Sequence, residues 1–203
     1  MTSPDSSHLA VASDFFRQAV AELIDVLGRL DGDHLSALTN LASDVQEAWL
    51  SGGKFMVCGN GGSASDSQHI VAELAGRFMA ERPGYAALAL TANTSTLTAV
   101  GNDYGFDHIF ARQVQALGGQ HDVLLVISTS GNSANCVAAV AAARAHGMKV
   151  HGFLGGDGGA LLPLLDSALV VPSHSTPKIQ EVHITLGHVL CMILERWVMA
   201  ADQ

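Results

Sequence analysis

The stretches FMVCGNGGSASD (residues 55–66) and VLLVISTSGNSAN (residues 123–135) follow one plan: a short apolar run stops abruptly in a turn of Gly, Ser, Thr and Asn, and a helical pattern takes over. A strand delivers the backbone to such a turn, the small residues let it come close to a ligand, and the free N–H groups of the next helix point at negative charge. Either turn alone also suits an ordinary strand-to-helix junction. Two together point to a phosphorylated substrate, for which the hydroxyls of Ser63, Ser128, Thr129, Ser130 and Ser133 would add donors.

On either side of these turns, apolar runs and helical stretches alternate. Strands are expected at 54–58, 86–90, 122–127, 149–154 and 168–171, with helical patterns from 64, around 95–117, over 134–146 and from 176 onward. Parallel strands joined by helical crossovers produce that alternation. The expected class is therefore α/β, a three-layer αβα sandwich around a doubly wound parallel sheet. Ligands in that architecture bind beyond the carboxyl ends of the strands, where both turns fall.

A helical hairpin precedes the sheet. Phe16, Val20, Leu23, Leu27 and Leu30 recur at spacings of four and three on a helix over 6–29, which Asp31-Gly32 ends. Asp33 is positioned to cap a second helix with the stripe Leu35, Leu38, Ala42, Val45 and Trp49, closed by Gly52-Gly53. The chain reads as a single domain over 1–203, with the hairpin at 1–53 and the α/β core and C-terminal helix at 54–203.

Composition narrows the function. With 203 residues, 48% of them hydrophobic and 14% charged, the chain can bury one full core. A formal net charge of −9 and scattered basic residues argue against a nucleic-acid or anionic-membrane surface. A phosphate ligand stays compatible, because helix N-termini and hydroxyls supply local positive potential. Cys58, Cys136 and Cys191 are too few and too far apart for a disulfide framework or a Cys-based zinc site, which suits a reducing cytoplasm. No signal-peptide pattern opens the sequence, and His183, His188, Glu195 and Arg196 interrupt the apolar C-terminal stretch, so no membrane span is expected.

Other nucleotide and hydrolase motifs fail. Residues 59–64 fit a loose G-x-G-x-x-A, but ALALTANTS (87–95) offers no acidic residue to hold a ribose. Gly53-Lys54 lies before its strand, unlike a Walker loop, and no serine sits in a G-x-S-x-G elbow.

His69 and Glu73 lie four apart on the helix that leaves the first turn, so an imidazole and a carboxylate share one face. That pair is either a surface contact or half of a divalent-metal site. The final helix has the stripe Ile179, Val182, Leu186, Val189 and Ile193, which leaves Gln180, Glu181 and His188 off the core face and His183 as a packing histidine. Glu181 and His188, seven apart, share a face more closely than Gln180 and His188, so periodicity nominates Glu181. Arg77 is either an ion-pair partner on the helix surface or a sugar-phosphate contact, and Asn102-Asp103 read as a loop that turns the chain or orients sugar hydroxyls.

Read together, CGNGGSASDSQHIVAELAGRF, TAVGNDYGFDHIF, DVLLVISTSGNSANC and KIQEVHI…H closely resemble the phosphoheptose isomerase family of the sugar isomerase (SIS) fold, in order and spacing from about residue 54 to 195. The resemblance implies a phosphate held by Ser128, Thr129, Ser130 and Ser133, with Asn60, Gly61, Gly62 and Ser63 lining the other side. It puts Asn102, Asp103, Glu73 and Gln180 in contact with substrate, and a zinc ion, one per subunit, on His69, Glu73, Gln180 and His188, overruling Glu181. It further implies aldose–ketose isomerisation of sedoheptulose 7-phosphate, with Glu73 as base and His188 as acid, in a homotetramer that shares active sites between subunits. Lys178 and Pro177 depart from the family's more usual Arg and Asp, and Lys cannot make Arg's two-pronged contact. The alternative is a non-catalytic phosphosugar-binding regulator on the same scaffold, such as those that associate with the bacterial replication initiator; these lack the carboxylate that Glu73 supplies.

Overall fold

The computed structural model describes residues 6–201; residues 1–5 and 202–203, which the single-domain expectation included, lie outside the described residues. Helices α1 (Ser6–Gly28) and α2 (Gly32–Leu50) form the leading hairpin. The core follows as β1 (Phe55–Gly59), α3 (Gly62–Ala75), β2 (Ala87–Ala89), α4 (Thr94–Tyr104), α5 (Ala111–Leu117), β3 (Val123–Ser128), α6 (Ala134–Ala145), β4 (Lys149–Gly155), β5 (Ser167–Val171) and α7 (Thr176–Ala201). The helical segments expected around 95–117 are α4, a 3-10 turn at Phe106–His108, and α5.

All five strands are parallel, in the order β2-β1-β3-β4-β5. The chain moves outward from β1 to β2, then returns to add β3 on β1's other side. That reversal opens a crevice at the carboxyl ends of β1 and β3. Both Gly/Ser/Thr turns leave the sheet there, just past the last paired residues, Gly59 and Ile127.

Every residue of β1 and β3 is buried, which explains why these strands read as unbroken apolar runs. Phe55, Val57, Leu125, Ile127 and Phe153 face a layer built from α2, α3 and α7. Met56, Cys58, Leu124, Val126 and Leu154 face α5 and α6 on the opposite side. By length and composition α7 could cross a membrane, yet it packs on the sheet as a core helix with 44% of its most apolar window buried.

Two details of the hairpin differ from expectation. The cap of α2 is Asp31, whose Oδ1 accepts from the N–H groups of Asp33 and His34 while His34 Nδ1 faces the Asp31 N–H. His34 thus completes a reciprocal box that Asp33 could not form. Its side-chain bonds also hold the exposed Asp31 carboxyl below the usual carboxylate range. Leu35 is 61% exposed, and the buried stripe is Leu38, Leu41, Ala42, Val45 and Ala48, with Trp49 half-buried against Tyr85. On α7 the core takes Leu190 and Leu194 fully, while Val189 and Ile193 are half-buried.

Candidate active site

The second turn is built to leave donors free. Ser128, at the end of β3, is buried; its Oγ lies 3.0 Å from Ser133 Oγ and accepts the Gly131 N–H. Gly131 has φ +65° and a Cβ there would meet the Gly158 carbonyl, so a side chain is excluded on both counts. Ser133 precedes α6 without capping it through its side chain, so the first N–H groups of that helix face the turn unclaimed. Thr129 and Ser130 line a cavity of about 280 Å³ with Gly155, His174 and Thr176.

The first turn approaches α7 closely. A Cβ on Gly62 would stand 2.5 Å from Gln180 Nε2, so the Gln180 amide occupies the space that a side chain would fill. Ser63 is buried at the base of this turn and Gly61 is exposed. The Asn60 amide is engaged: it exchanges two hydrogen bonds with the Asn135 amide, at 2.9 and 2.8 Å. What Asn60 offers a ligand is therefore its backbone.

About two and three turns along α3 stand His69 and Glu73. His69 Nε2 lies 3.3 Å from Glu73 Oε1 and 3.4 Å from His188 Nε2 on α7, and Phe78 stacks on the His188 ring at 5.9 Å. His69 is the shared member of two close pairs; among the described residues no three His, Cys, Asp or Glu side chains converge as a finished cage. Asp66, one turn before His69, is half-buried with an unpartnered Oδ2, and burial pushes its carboxyl up.

Glu181, the candidate from periodicity, turns away from this cluster. It accepts from Lys178 Nζ at 2.8 Å, and the buried Lys178 also donates to the Ala19 carbonyl of α1. Lys178 thus fastens the hairpin to α7 rather than reaching into the crevice. His183 is a core residue as expected, with Nε2 on the Leu154 carbonyl and Nδ1 without a partner. Arg77 is exposed and its contact is Glu81 at 4.0 Å, not Glu73. Asn102 and Asp103 occupy the last turn of α4 instead of a loop; both are exposed and hydrogen-bond each other.

Residues with no local signal complete the site. Arg82 Nη2 donates to the Glu73 carbonyl and Nη1 to the Leu74 and Gly76 carbonyls, which caps the end of α3. Glu195 on α7 holds that guanidinium, 113 residues further along the chain. Only the Arg-Pro and Gly around the end of α3 hint at a helix stop; nothing local names the partner.

The SIS domain family model matches residues 16–155. A phosphoheptose isomerase of Rhodospirillum rubrum is 54% identical over 164 residues, 81% of this chain and 87% of its own length. One from a Roseiflexus species is 49% identical over 199 residues, 97% of this chain and 98% of its own. The solved phosphoheptose isomerase of Neisseria gonorrhoeae superposes with a TM-score of 0.86 at 42% identity, covering 91% of this chain and 99% of its own. A shared sheet, shared turns and near-complete coverage at this identity mean that the chain is an isomerase and belongs to the phosphoheptose isomerase family of SIS-domain proteins.

Proposed function

We propose that the chain interconverts sedoheptulose 7-phosphate and D-glycero-D-manno-heptose 7-phosphate through an enediolate, the first step toward ADP- or GDP-activated heptose. The observation that carries this reading is His69 standing between Glu73 and His188, on the helix that the first turn launches. Ser128, Thr129, Ser130, Ser133 and the α6 N-terminus hold the phosphate, and residues 60–63 wall the sugar.

Two donor pairs around His69 have a spacing that supports zinc as the metal. Ligands at roughly 2.0–2.1 Å from a tetrahedral zinc stand about 3.4 Å apart, close to the 3.3 and 3.4 Å around His69 Nε2. His69, Glu73, His188 and the Gln180 amide would hold the ion, which would polarise the carbonyl and neighbouring hydroxyl of the sugar. Glu73 takes a proton from C1, and the C–H electron pair becomes the C1–C2 double bond as charge moves to the C2 oxygen. His188 then returns a proton to C2 while the C1 hydroxyl proton passes to the C2 oxygen, which leaves a carbonyl at C1 and a hydroxyl at C2. Among the described residues the Glu73 side chain pairs with His69 alone, at 3.3 Å, which supports a carboxylate able to swing toward C1.

The same reading includes a homotetramer in the cytoplasm, with no nucleic-acid or membrane partner. Supporting it, α1 exposes Leu9, Phe15, Phe16 and Ile24, and an apolar groove of about 860 Å³ runs between Met79 and the end of α7. Subunits that share sites would also give the exposed Asn102-Asp103 pair a sugar to hold.

The test incubates purified protein with sedoheptulose 7-phosphate, with zinc or with a chelator, beside Glu73→Gln. Product with zinc, loss with chelator and a loss of at least about 100-fold in the variant are expected. No product under any metal condition overturns the substrate, and undiminished turnover by Glu73→Gln removes it as base.

A further inference from the structure

The two turns of the crevice hang from adjacent strands, and the ladder between those strands ends at Gly59 and Ile127. Beyond that point backbone pairing no longer sets the distance between the sugar wall at 60–63 and the phosphate turn at 128–133. Side-chain bonds from Asn60 do, two short ones to Asn135 and a longer one to Cys136 Sγ at 4.0 Å. Asn60 is the first residue past β1, and Asn135 stands in the first turn of α6, on the far side of the phosphate turn. Their amides lie antiparallel, each Nδ2 donating to the other's Oδ1 at 2.9 and 2.8 Å.

We infer that Asn135 is a positioning residue for the isomerase: through Asn60 it sets the separation between the phosphate anchor and the reacting end of the sugar. Asn135 is only 2% exposed and its amide is spent on Asn60, so it acts on substrate through another residue. It belongs to the first turn of the helix whose open N–H groups face the phosphate turn. Asn60 leads into the turn that launches α3, the helix carrying His69 and Glu73. The clasp therefore joins the element that grips one end of the ligand to the element that reacts with the other. A displacement of about 1 Å between them is enough to cost 100-fold in rate. The pair also excludes alternatives: Asp at either position would set a carboxylate oxygen against an amide oxygen, and Leu would strip its partner's amide of both short bonds.

The kinetic part of this inference rests on the proposed reaction; the mechanical part does not. The experiment compares wild type, Asn135→Leu, Asn60→Leu and the double variant, each checked for folding by thermal melt. With sedoheptulose 7-phosphate and zinc, each single variant should lose at least ten-fold in kcat with KM changed less than about three-fold, and the double variant should be no worse than the poorer single. Unchanged kcat in folded Asn135→Leu, or losses that multiply in the double variant, overturns the inference. Hydrogen exchange supplies a readout independent of turnover: Asn135→Leu should lose protection across residues 61–66 as well as 134–138. Loss confined to 134–138 overturns the clasp. A wild type inactive on this sugar overturns the proposed substrate and leaves the clasp to be judged by exchange alone. If Asn135→Leu fails to fold, Asn135→Asp takes its place under the same criteria.

Discussion

Arg82 and Glu195 form a buried ion pair, Nε to Oε1 at 3.2 Å, that fastens the end of α3 to α7, the two helices that bring His69, Glu73 and His188 together. Their side chains are 2% and 7% exposed, and the hydrogen bonds around them are nearly complete. Glu195 also accepts the N–H groups of Met79 and Ala80, while Arg82 donates to the Glu73, Leu74, Gly76 and Pro83 carbonyls. A buried pair of this kind costs desolvation, so its value lies in where it holds the backbone.

Removing one partner strands the other's charge in the core, which costs about 3–5 kcal/mol. Arg82→Leu should therefore lower the melting temperature by roughly 10 °C. Glu195→Gln should cost less, because Gln keeps an acceptor for Met79 and Ala80. The double variant Arg82→Leu/Glu195→Gln should be less destabilised than the sum of the two single losses. Differential scanning calorimetry checks all three, and additive losses would contradict a coupled pair.

Gly62→Ala tests Gln180 against Glu181. The new methyl would press on the free end of the Gln180 side chain, which can move, so folding stability should change by less than about 1 kcal/mol. The displaced amide should cost ten-fold or more in zinc affinity and turnover, the usual scale for disturbing a metal's surroundings. Glu181→Gln should leave both unchanged, because its carboxylate serves Lys178. Zinc titration and initial rates give the comparison, and full activity in Gly62→Ala would remove Gln180 from the ligand set.

The spacing of His69 and Glu73 was legible because a helix puts residues four apart on one face. The choice between Gln180 and Glu181 was not, since periodicity resolves faces and not the gap that a missing Cβ opens on another element. In the fold Lys178 engages the Glu181 carboxylate, while the Gln180 amide lies against Gly62. Asp31 and Asp33 are both capping residues by type, and only the reciprocal contact of His34 selects Asp31. Asn102-Asp103 look like a turn, yet the helix begun at Thr94 runs through them. The parallel sheet was read well because strands covered on both faces become continuous apolar runs. Arg82 with Glu195 and Asn60 with Asn135 are long-range pairs, invisible to any local pattern.

His183 predicts an acid limb of stability. Burial holds its imidazole down to about 4, against an ordinary value near 6.5, with Nε2 donating to the Leu154 carbonyl. Between those values the unfolded chain binds a proton that the folded chain refuses, so stability rises with pH through the window and is lost as pH falls. The loss is about 2 kcal/mol at pH 5 and about 3 kcal/mol below pH 4. His151, also lowered by burial, adds a loss of the same sign. His183→Gln keeps a donor for Leu154 and removes the titration. Urea midpoints at pH 5 and 7.5, taken in chelator so that metal release does not enter, should differ less in that variant than in wild type. An unchanged difference would mean that His183 is not the source.

Phe16 lies on the exposed apolar face of α1, 71% accessible within a single chain, beside Leu9, Phe15 and Ile24 on the same helix. Such a patch is covered by self-association or it drives aggregation. A charge at Phe16 has little to disturb within one subunit, because the contacts that hold α1 to α7 lie elsewhere, at Val26 and through the Lys178–Ala19 bond. Phe16→Glu should accordingly leave the melting of the monomer fold within about 0.5 kcal/mol while moving the assembly to smaller species. Analytical ultracentrifugation at several concentrations separates the outcomes. If subunits share sites, kcat per chain should fall in parallel with the fraction assembled and recover at high protein concentration; a monomeric wild type, or full activity in a dissociated variant, would rule that arrangement out.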